Sequence, residues 1–267
     1  MCDSSSTVSC ASNHRSVECE LRMAGVMTPS ITSDVSCTQI VAFSGGKDST
    51  ALVLRLAELN EDFACLFTPT DDELPLLRDH LHAVIDLIKR PLIVPPNKSL
   101  EFWINFHNAL PNWRMRWCTR QIKIQPCIDW LTLHPGKTLV IGLRADEEDR
   151  EGLYGDYATY RYPFREWGWK LADVLAYNAA RNVRVPDRTD CAVCPYQRLI
   201  EWWELWKLYP DRWARGEAWE AQTGHTFRSA QRDSWPAAMR DLRAEFENGR
   251  VPKDTRPAQQ RCRVCSM

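Results

Sequence analysis

The stretch VAFSGGKDST, Val41 to Thr50, constrains this chain more than any other. An apolar run, Ile40 to Phe43, enters Ser44-Gly45-Gly46-Lys47-Asp48-Ser49, and an amphipathic segment, Thr50 to Leu59, leaves it. That order reads as strand, tight turn and helix. Two adjacent glycines let the backbone take positive φ and approach a ligand with no Cβ in the way. The turn's N–H groups and the positive end of the new helix then suit a phosphate. Ser44 and Ser49 add hydroxyl donors, and Lys47 adds a cation. The spacing is not that of the Walker loop, which places a Lys-Ser/Thr pair after G-x-x-x-x-G. An ordinary glycine turn before a helix is the competing reading.

The same alternation continues. Leu52, Val53, Leu56 and Leu59 fall at helical spacing, so one face of that helix is expected to be buried. A second strand, Phe63 to Phe67, ends in Thr68-Pro69-Thr70-Asp71-Asp72-Glu73-Leu74-Pro75. Leu76 to Lys89 reads as a helix and Pro91 to Val94 as a third strand, stopped by Pro95-Pro96. The order β-α-β-α-β argues for a parallel sheet with right-handed crossovers. Polar residues just past the strand ends then sit where such folds bind ligands. An aromatic helix is expected within 97–111, and a fourth strand from Thr138 to Leu143.

Four later segments carry chemistry. Arg114-Met115-Arg116-Trp117-Cys118-Thr119-Arg120-Gln121-Ile122-Lys123 sets four cations beside one cysteine. Such a segment can lower a thiol's pKa, face phosphates, or be a solvated helix face. Gly142-Leu143-Arg144-Ala145-Asp146-Glu147-Glu148-Asp149-Arg150 puts two arginines past the fourth strand, where guanidinium can grip an oxyanion bidentately. A salt-bridge cluster is its plainer reading. Cys191-Ala192-Val193-Cys194-Pro195 and Cys262-Arg263-Val264-Cys265 are two CxxC knuckles. Each can present two thiolates to a metal. Together they permit a four-cysteine zinc site, although their separation exceeds that of a compact zinc ribbon.

These segments resemble the PAPS reductase/ATP-pyrophosphatase superfamily (PP-loop, adenine nucleotide alpha-hydrolase-like; PAPS is 3′-phosphoadenylyl sulfate). The resemblance spans about Gln39 to Tyr196, and lies closer to sulfurtransferase-like members than to the standard PAPS reductases. It rests on SGGKDS, the acidic turn after the second strand, the basic segment around Cys118, and G-x-R-x-x-E-x-x-R from Gly142 to Arg150. The family's acidic turn usually contains a glycine; here Asp71 or Asp72 stands in its place. Tyr162 to Trp167 and the Asp173-Val174 pair resemble a structural stretch, with Asp173 near a helix start.

The resemblance implies an α/β fold, a parallel twisted sheet flanked by helices, with a helical Cys/Trp-rich C-terminal region. The expected division is a flexible leader (1–36), a nucleotide-binding domain (37–186) and a helical region with cysteine knuckles (187–267). Implied nucleotide-binding residues are Ser44, Gly45, Gly46, Lys47, Ser49, Thr50, Gly142, Arg144 and Arg150. Lys47, Asp48 and Arg144 are the implied catalytic residues. The nucleotide is ATP or PAPS, with magnesium as an expected companion. Cys118, Cys191, Cys194 and Cys265 are the implied ligands of a 4Fe–4S cluster, with zinc or free thiols as alternatives. Cys262, Cys127 and a non-protein ligand compete with Cys265 for the fourth position.

Composition narrows the function. The chain has 267 residues, 44% hydrophobic and 26% charged, like an average soluble protein. It lacks an apolar run near the roughly 20 residues that span a bilayer, and no secretory signal is recognisable. The expectation is cytoplasmic, with no membrane partner. Eleven cysteines without such a signal argue against a disulfide framework. Cys2, Cys10, Cys19 and Cys37 are too widely spaced for a metal site. Net charge is -1, so no global basic field draws in nucleic acid. Of twelve tryptophans, those from Trp202 to Trp219 read as the core of a helix pair, and Ser234 to Asn248 as a last helix.

Three functions fit. The first is adenylation of an acceptor, DNA or tRNA or a small molecule, for sulfur transfer with a cluster; a cysteine desulfurase or thioredoxin-like protein would be the donor. The second is PAPS or APS reduction to sulfite, with Cys262 or Cys265 replacing the family's usual C-terminal nucleophile. The third is a repurposed scaffold that binds or processes modified nucleic acid.

Overall fold

The computed structural model describes residues 35–254, apart from Leu153 and Gln231. The expected leader, save its last two residues, and Cys262 and Cys265 lie outside the described residues. Among the described residues, five strands form one parallel sheet: β1 (Gln39–Ala42), β2 (Phe63–Leu66), β3 (Leu92–Ile93), β4 (Thr138–Val140) and β5 (Thr159–Arg161). The spatial order is β3-β2-β1-β4-β5. β1 is central because its residues are apolar on both faces; Ile40 and Val41 have no exposed surface. Chain order reverses direction at β1, so a crevice opens beyond its C-terminal end, between the loops after β1 and β4. This is the expected α/β architecture, a parallel sheet flanked by helices. β5 was not foreseen. It is three residues long and half-exposed, and its polar Thr159 and Arg161 hide any strand pattern.

Helices cover both faces of the sheet. α1 (Lys47–Glu58) and α2 (Pro75–Ile88) bury Leu52, Val53, Leu56, Leu77, Leu81 and Ile85 against Val41, Phe63 and Cys65. α1 starts three residues earlier than its apolar pattern indicated, since its first turn is polar yet buried. α3 (Leu100–His107) is the expected aromatic helix, capped by the Ser99 hydroxyl, which accepts from the Phe102 N–H at 3.1 Å.

The basic segment folds in an unexpected way. Thr119–Ile124 is a π-helical stretch that runs straight into α4 (Gln125–Leu133), with the Gln125 N–H donating to the Arg120 carbonyl five residues back. Pro126 explains the irregularity. It lacks an N–H, so in a regular helix the Ile122 carbonyl would lose its i+4 donor. The Asn97 side-chain amide takes that carbonyl at 2.8 Å and donates also to the Pro69 carbonyl at 2.8 Å. One asparagine thus ties the loop after β2 to the cysteine-bearing segment.

α5 (Pro163–Glu166) and α6 (Leu171–Ala180) follow β5. The Asp173 carboxylate accepts from the Lys170 N–H at 2.8 Å, at the helix start as expected. α7 (Leu199–Leu208), α8 (Pro210–Thr223) and α9 (Met239–Glu247) make the C-terminal region. Trp202, Trp213 and Trp219 are buried there, as core. They share that core with Leu74, Leu100, Ile104 and Ile122, so the packing runs across residue 187.

Asn97→Ala should therefore orphan two carbonyls. We expect a loss of about 1–3 kcal/mol in urea unfolding. Asn97→Asp, which keeps the shape but not the donor, should lose at least as much.

Candidate active site

Gly45 turns the loop with φ +72°, and a Cβ there would lie 2.6 Å from Leu77 Cδ1 and 2.9 Å from Leu81 Cδ2. Only glycine satisfies both demands. Gly46 then precedes the first turn of α1, whose N–H groups lack intrahelical acceptors. Ser44 and Ser49 face each other across the loop, with hydroxyls 3.2 Å apart. Ser49 Oγ also donates to the Gly46 carbonyl at 3.1 Å. Both hydroxyls line a cavity at the C-terminal ends of β1, β2 and β4, together with Gly142 and Arg150. Thr50 is turned the other way. Its hydroxyl lies 3.0 Å from His80 Nε2, and burial pushes the His80 pKa down to about 4.

Lys47 and Arg144 do not line that cavity. They grip Asp48, which has no exposed surface: Lys47 Nζ lies 2.8 Å from Oδ2 and Arg144 Nη1 2.9 Å from Oδ1. Arg144 also contacts Asp146 at 2.9 Å and Glu147 at 3.4 Å. Glu147 joins Arg144 to Arg150, at 2.6 Å from the latter. The G-x-R-x-x-E-x-x-R segment is thus a charge lattice, with Arg144 at its buried end and Arg150 at the cavity.

Cys118, Cys191 and Cys194 line one smaller cavity beside the first. Arg116, Thr119, Lys123 and Cys191 line both, so the two spaces share a wall. Burial pushes all three thiols above their ordinary value, and Lys123 opposes that shift. Three sulfur donors lining one cavity match the ligand chemistry of an iron–sulfur cluster. A single ion needs tighter convergence, and among the described residues no group of three His, Cys, Asp or Glu side chains could hold one. Cys127 lies elsewhere, lining the strand-end cavity and packing with Ile40 and Leu139.

The acidic turn after β2 seats the knuckle. Asp71 takes φ +61°, the left-handed conformation that a glycine would supply and that aspartate tolerates better than most residues. Glu73 closes the turn by accepting from the Thr70 N–H at 2.6 Å and hydroxyl at 2.7 Å. Asp72 reaches into the CxxC loop, accepting from Val193 N–H at 3.2 Å, while its carbonyl accepts from Ala192 N–H at 2.8 Å. Arg215 of α8 pairs with the same carboxylate.

Residues 38–155 match the family described as the phosphoadenosine phosphosulfate reductase domain. Over that stretch the chain is similar to PAPS reductase domains. The match covers less than half of the chain but includes the loop, the acidic turn, Cys118 and both arginines. A curated relative, an uncharacterized protein of Methanocaldococcus jannaschii, is 22% identical over 227 residues, covering 78% of this chain and 54% of the relative. The chain therefore spans about half the length of that relative. Among solved structures, a PAPS reductase from Candida auris in a phosphate complex is similar at TM-score 0.46 and 16% identity, covering 67% of this chain and 91% of the other. A U34-tRNA thiolase from Methanococcus maripaludis with its 4Fe–4S cluster has TM-score 0.43 and 14% identity, covering 94% and 88%. An NMN synthetase from Francisella tularensis has TM-score 0.39 and 12% identity, covering 83% and 89%.

Beyond the matched stretch, the knuckle depends on residues that no motif flagged. Arg188, buried, donates to the Cys191 carbonyl at 2.9 Å and to the Ala192 carbonyl at 3.3 Å. Gln197 donates to the same Ala192 carbonyl at 2.5 Å. A basic residue three positions before a CxxC was the available signal.

Gly45→Ala should cost about 1–3 kcal/mol in chemical denaturation, from the left-handed backbone and the crowding of Leu77. His80 supplies a pH test. Its folded pKa lies below its ordinary value, so its stabilising contribution is full above about 6.5 and fades as pH falls toward 4. His80→Gln keeps a hydrogen bond to Thr50 and removes the titration. The stability of wild type relative to this variant should fall across that window when urea midpoints are compared.

Proposed function

We propose that the protein is an adenine-nucleotide-dependent enzyme of the PP-loop type that adenylates a nucleic-acid or small-molecule acceptor for sulfur transfer. The observation that carries this reading is the shared wall: the cavity lined by Ser44 and Ser49 and the cavity lined by Cys118, Cys191 and Cys194 have Arg116, Thr119, Lys123 and Cys191 in common. The match of residues 38–155 to the PAPS reductase domain supports the nucleotide assignment.

In the proposed reaction an acceptor oxygen attacks the α-phosphorus of ATP. The bond from that phosphorus to the α–β bridging oxygen breaks, and pyrophosphate leaves with the electron pair. Ser44, Ser49 and the first-turn N–H groups of α1 would take up the charge that grows on the leaving group. Arg150, at the cavity wall, would meet the same anion. Lys47 and Arg144 would act at one remove, by fixing Asp48 and with it the loop. Cys118, Cys191 and Cys194 would hold an iron–sulfur cluster, with a non-protein group or a cysteine outside the described residues as fourth ligand. When bound, such a cluster supplies sulfur-handling chemistry next to the activated acceptor.

PAPS reduction is the second reading, favoured by the family match itself. A cysteine thiolate would attack the sulfur, the S–O bond to the nucleotide phosphate would break, and a dithiol donor would release sulfite.

Anaerobic purification with iron and sulfide analysis, then a pyrophosphate-release assay with ATP, tests the first reading. We expect a brown protein whose iron content falls in Cys118→Ser and Cys194→Ser. Pyrophosphate release should drop roughly tenfold or more in Ser49→Ala, as when a donor to a developing anion is removed. A colourless protein that releases sulfite from PAPS would replace sulfur transfer by reduction. Unaltered nucleotide binding in Ser49→Ala would mean that the phosphates sit elsewhere.

A further inference from the structure

Residues 102–128 contain three arginines and a lysine but no aspartate or glutamate, in a chain whose net charge is -1. The positive charge is thus gathered locally. Arg114, Arg116 and Arg120 make no salt bridge among the described residues, although most arginines elsewhere in the fold are paired with carboxylates. Two of the three lie on aromatic faces instead: Arg114 is 4.6 Å from the Trp113 ring centre and Arg116 is 5.4 Å from that of Tyr196.

Trp113 is 57% exposed and Met115 49% exposed, an unusual outlay of apolar surface for a loop. The Tyr196 hydroxyl donates to the Trp113 carbonyl at 3.1 Å, which pins this loop to the residue just past the CxxC. Arg116 and Tyr196 line the thiol cavity, and Arg116 lines the strand-end cavity as well. The exposed Trp113–Arg114 stack is therefore tied through Tyr196 to the wall of the thiol cavity.

From this we infer that the 111–116 loop and the start of the π-helical stretch form a docking surface for single-stranded nucleic acid, with a base stacked on Trp113 and the flanking phosphates against Arg114 and Arg120. The inference rests on the sulfur-transfer reading and names its acceptor class. Stacking on an aromatic ring beside guanidinium groups suits an unpaired base, because every base offers a π face and every linkage a phosphate. A duplex hides its faces and would use only the charge. A protein partner would leave unanswered why residues 102–128 carry no carboxylate.

The test is fluorescence anisotropy of the full-length protein with labelled single strands of about 20 nucleotides, RNA and DNA in separate arms. We expect binding of at least one strand type at about 50 mM salt, weakening as salt rises. Trp113→Ala should weaken it by roughly tenfold, the scale of one lost base stack. Arg114→Ala and Arg120→Ala should each reduce the slope of log affinity against log salt by about 0.7, one phosphate contact apiece. All three side chains are exposed, so circular dichroism should match wild type. Absence of binding to both strands at low salt, or wild-type affinity in Trp113→Ala, overturns the inference. Pyrophosphate release without strand binding would remove it and keep the adenylation reading; strand binding without pyrophosphate release would do the reverse.

Discussion

Asp48 has no contact with solvent, and the geometry of the site follows from how its carboxylate is met. Lys47 comes from the same helix turn and Arg144 from the loop after β4, so one carboxylate joins the two strand ends that flank the crevice. A carboxylate buried without partners would cost several kcal/mol. Separation of these loops is therefore strongly opposed, and the hydroxyls of Ser44 and Ser49 inherit a fixed position. Asn178 adds a third strut, donating from α6 to the Lys47 carbonyl at 3.0 Å. The cations that a motif reader assigns to phosphate thus spend their charge on the scaffold, and the hydroxyls, backbone and Arg150 are left facing the cavity.

A second buried carboxylate repeats the device on the other side. Asp72 fastens the CxxC loop to the end of β2, and Glu73 forms a short antiparallel bridge with Cys191. The C-terminal helices are bound into the same arrangement through Arg215. Thiols nearly two hundred residues into the chain come to lie beside a loop formed near residue 45 because two acids in one turn hold them there.

Much of the sheet was legible, because β1 and β2 are continuous apolar runs and the helices between them bury one clear stripe. β5 was not, since Thr159-Tyr160-Arg161 carries no such pattern and pairs only at an edge. At the site, the loop, the paired arginines and the three cysteines stood out by residue type. Their division of labour did not. Periodicity cannot tell that Thr50 turns toward His80, or that Arg144 points inward and Arg150 outward. Nor does it reveal that Asp71 adopts a conformation usually left to glycine. Those outcomes depend on pairings across distances such as 144 to 48, which local pattern does not encode.

The π-helical stretch at Thr119–Ile124 has a geometric corollary. It acts as one surplus residue spliced into a helix, shifting everything before it relative to everything after it by about 100° around the axis. Cys118, on one side of the splice, faces the thiols; Cys127, on the other, faces the apolar core. A chain one residue shorter here would form a smoother helix with the sulfur of residue 118 swung round the cylinder. The irregularity is what lets a single rod serve two differently aimed compartments.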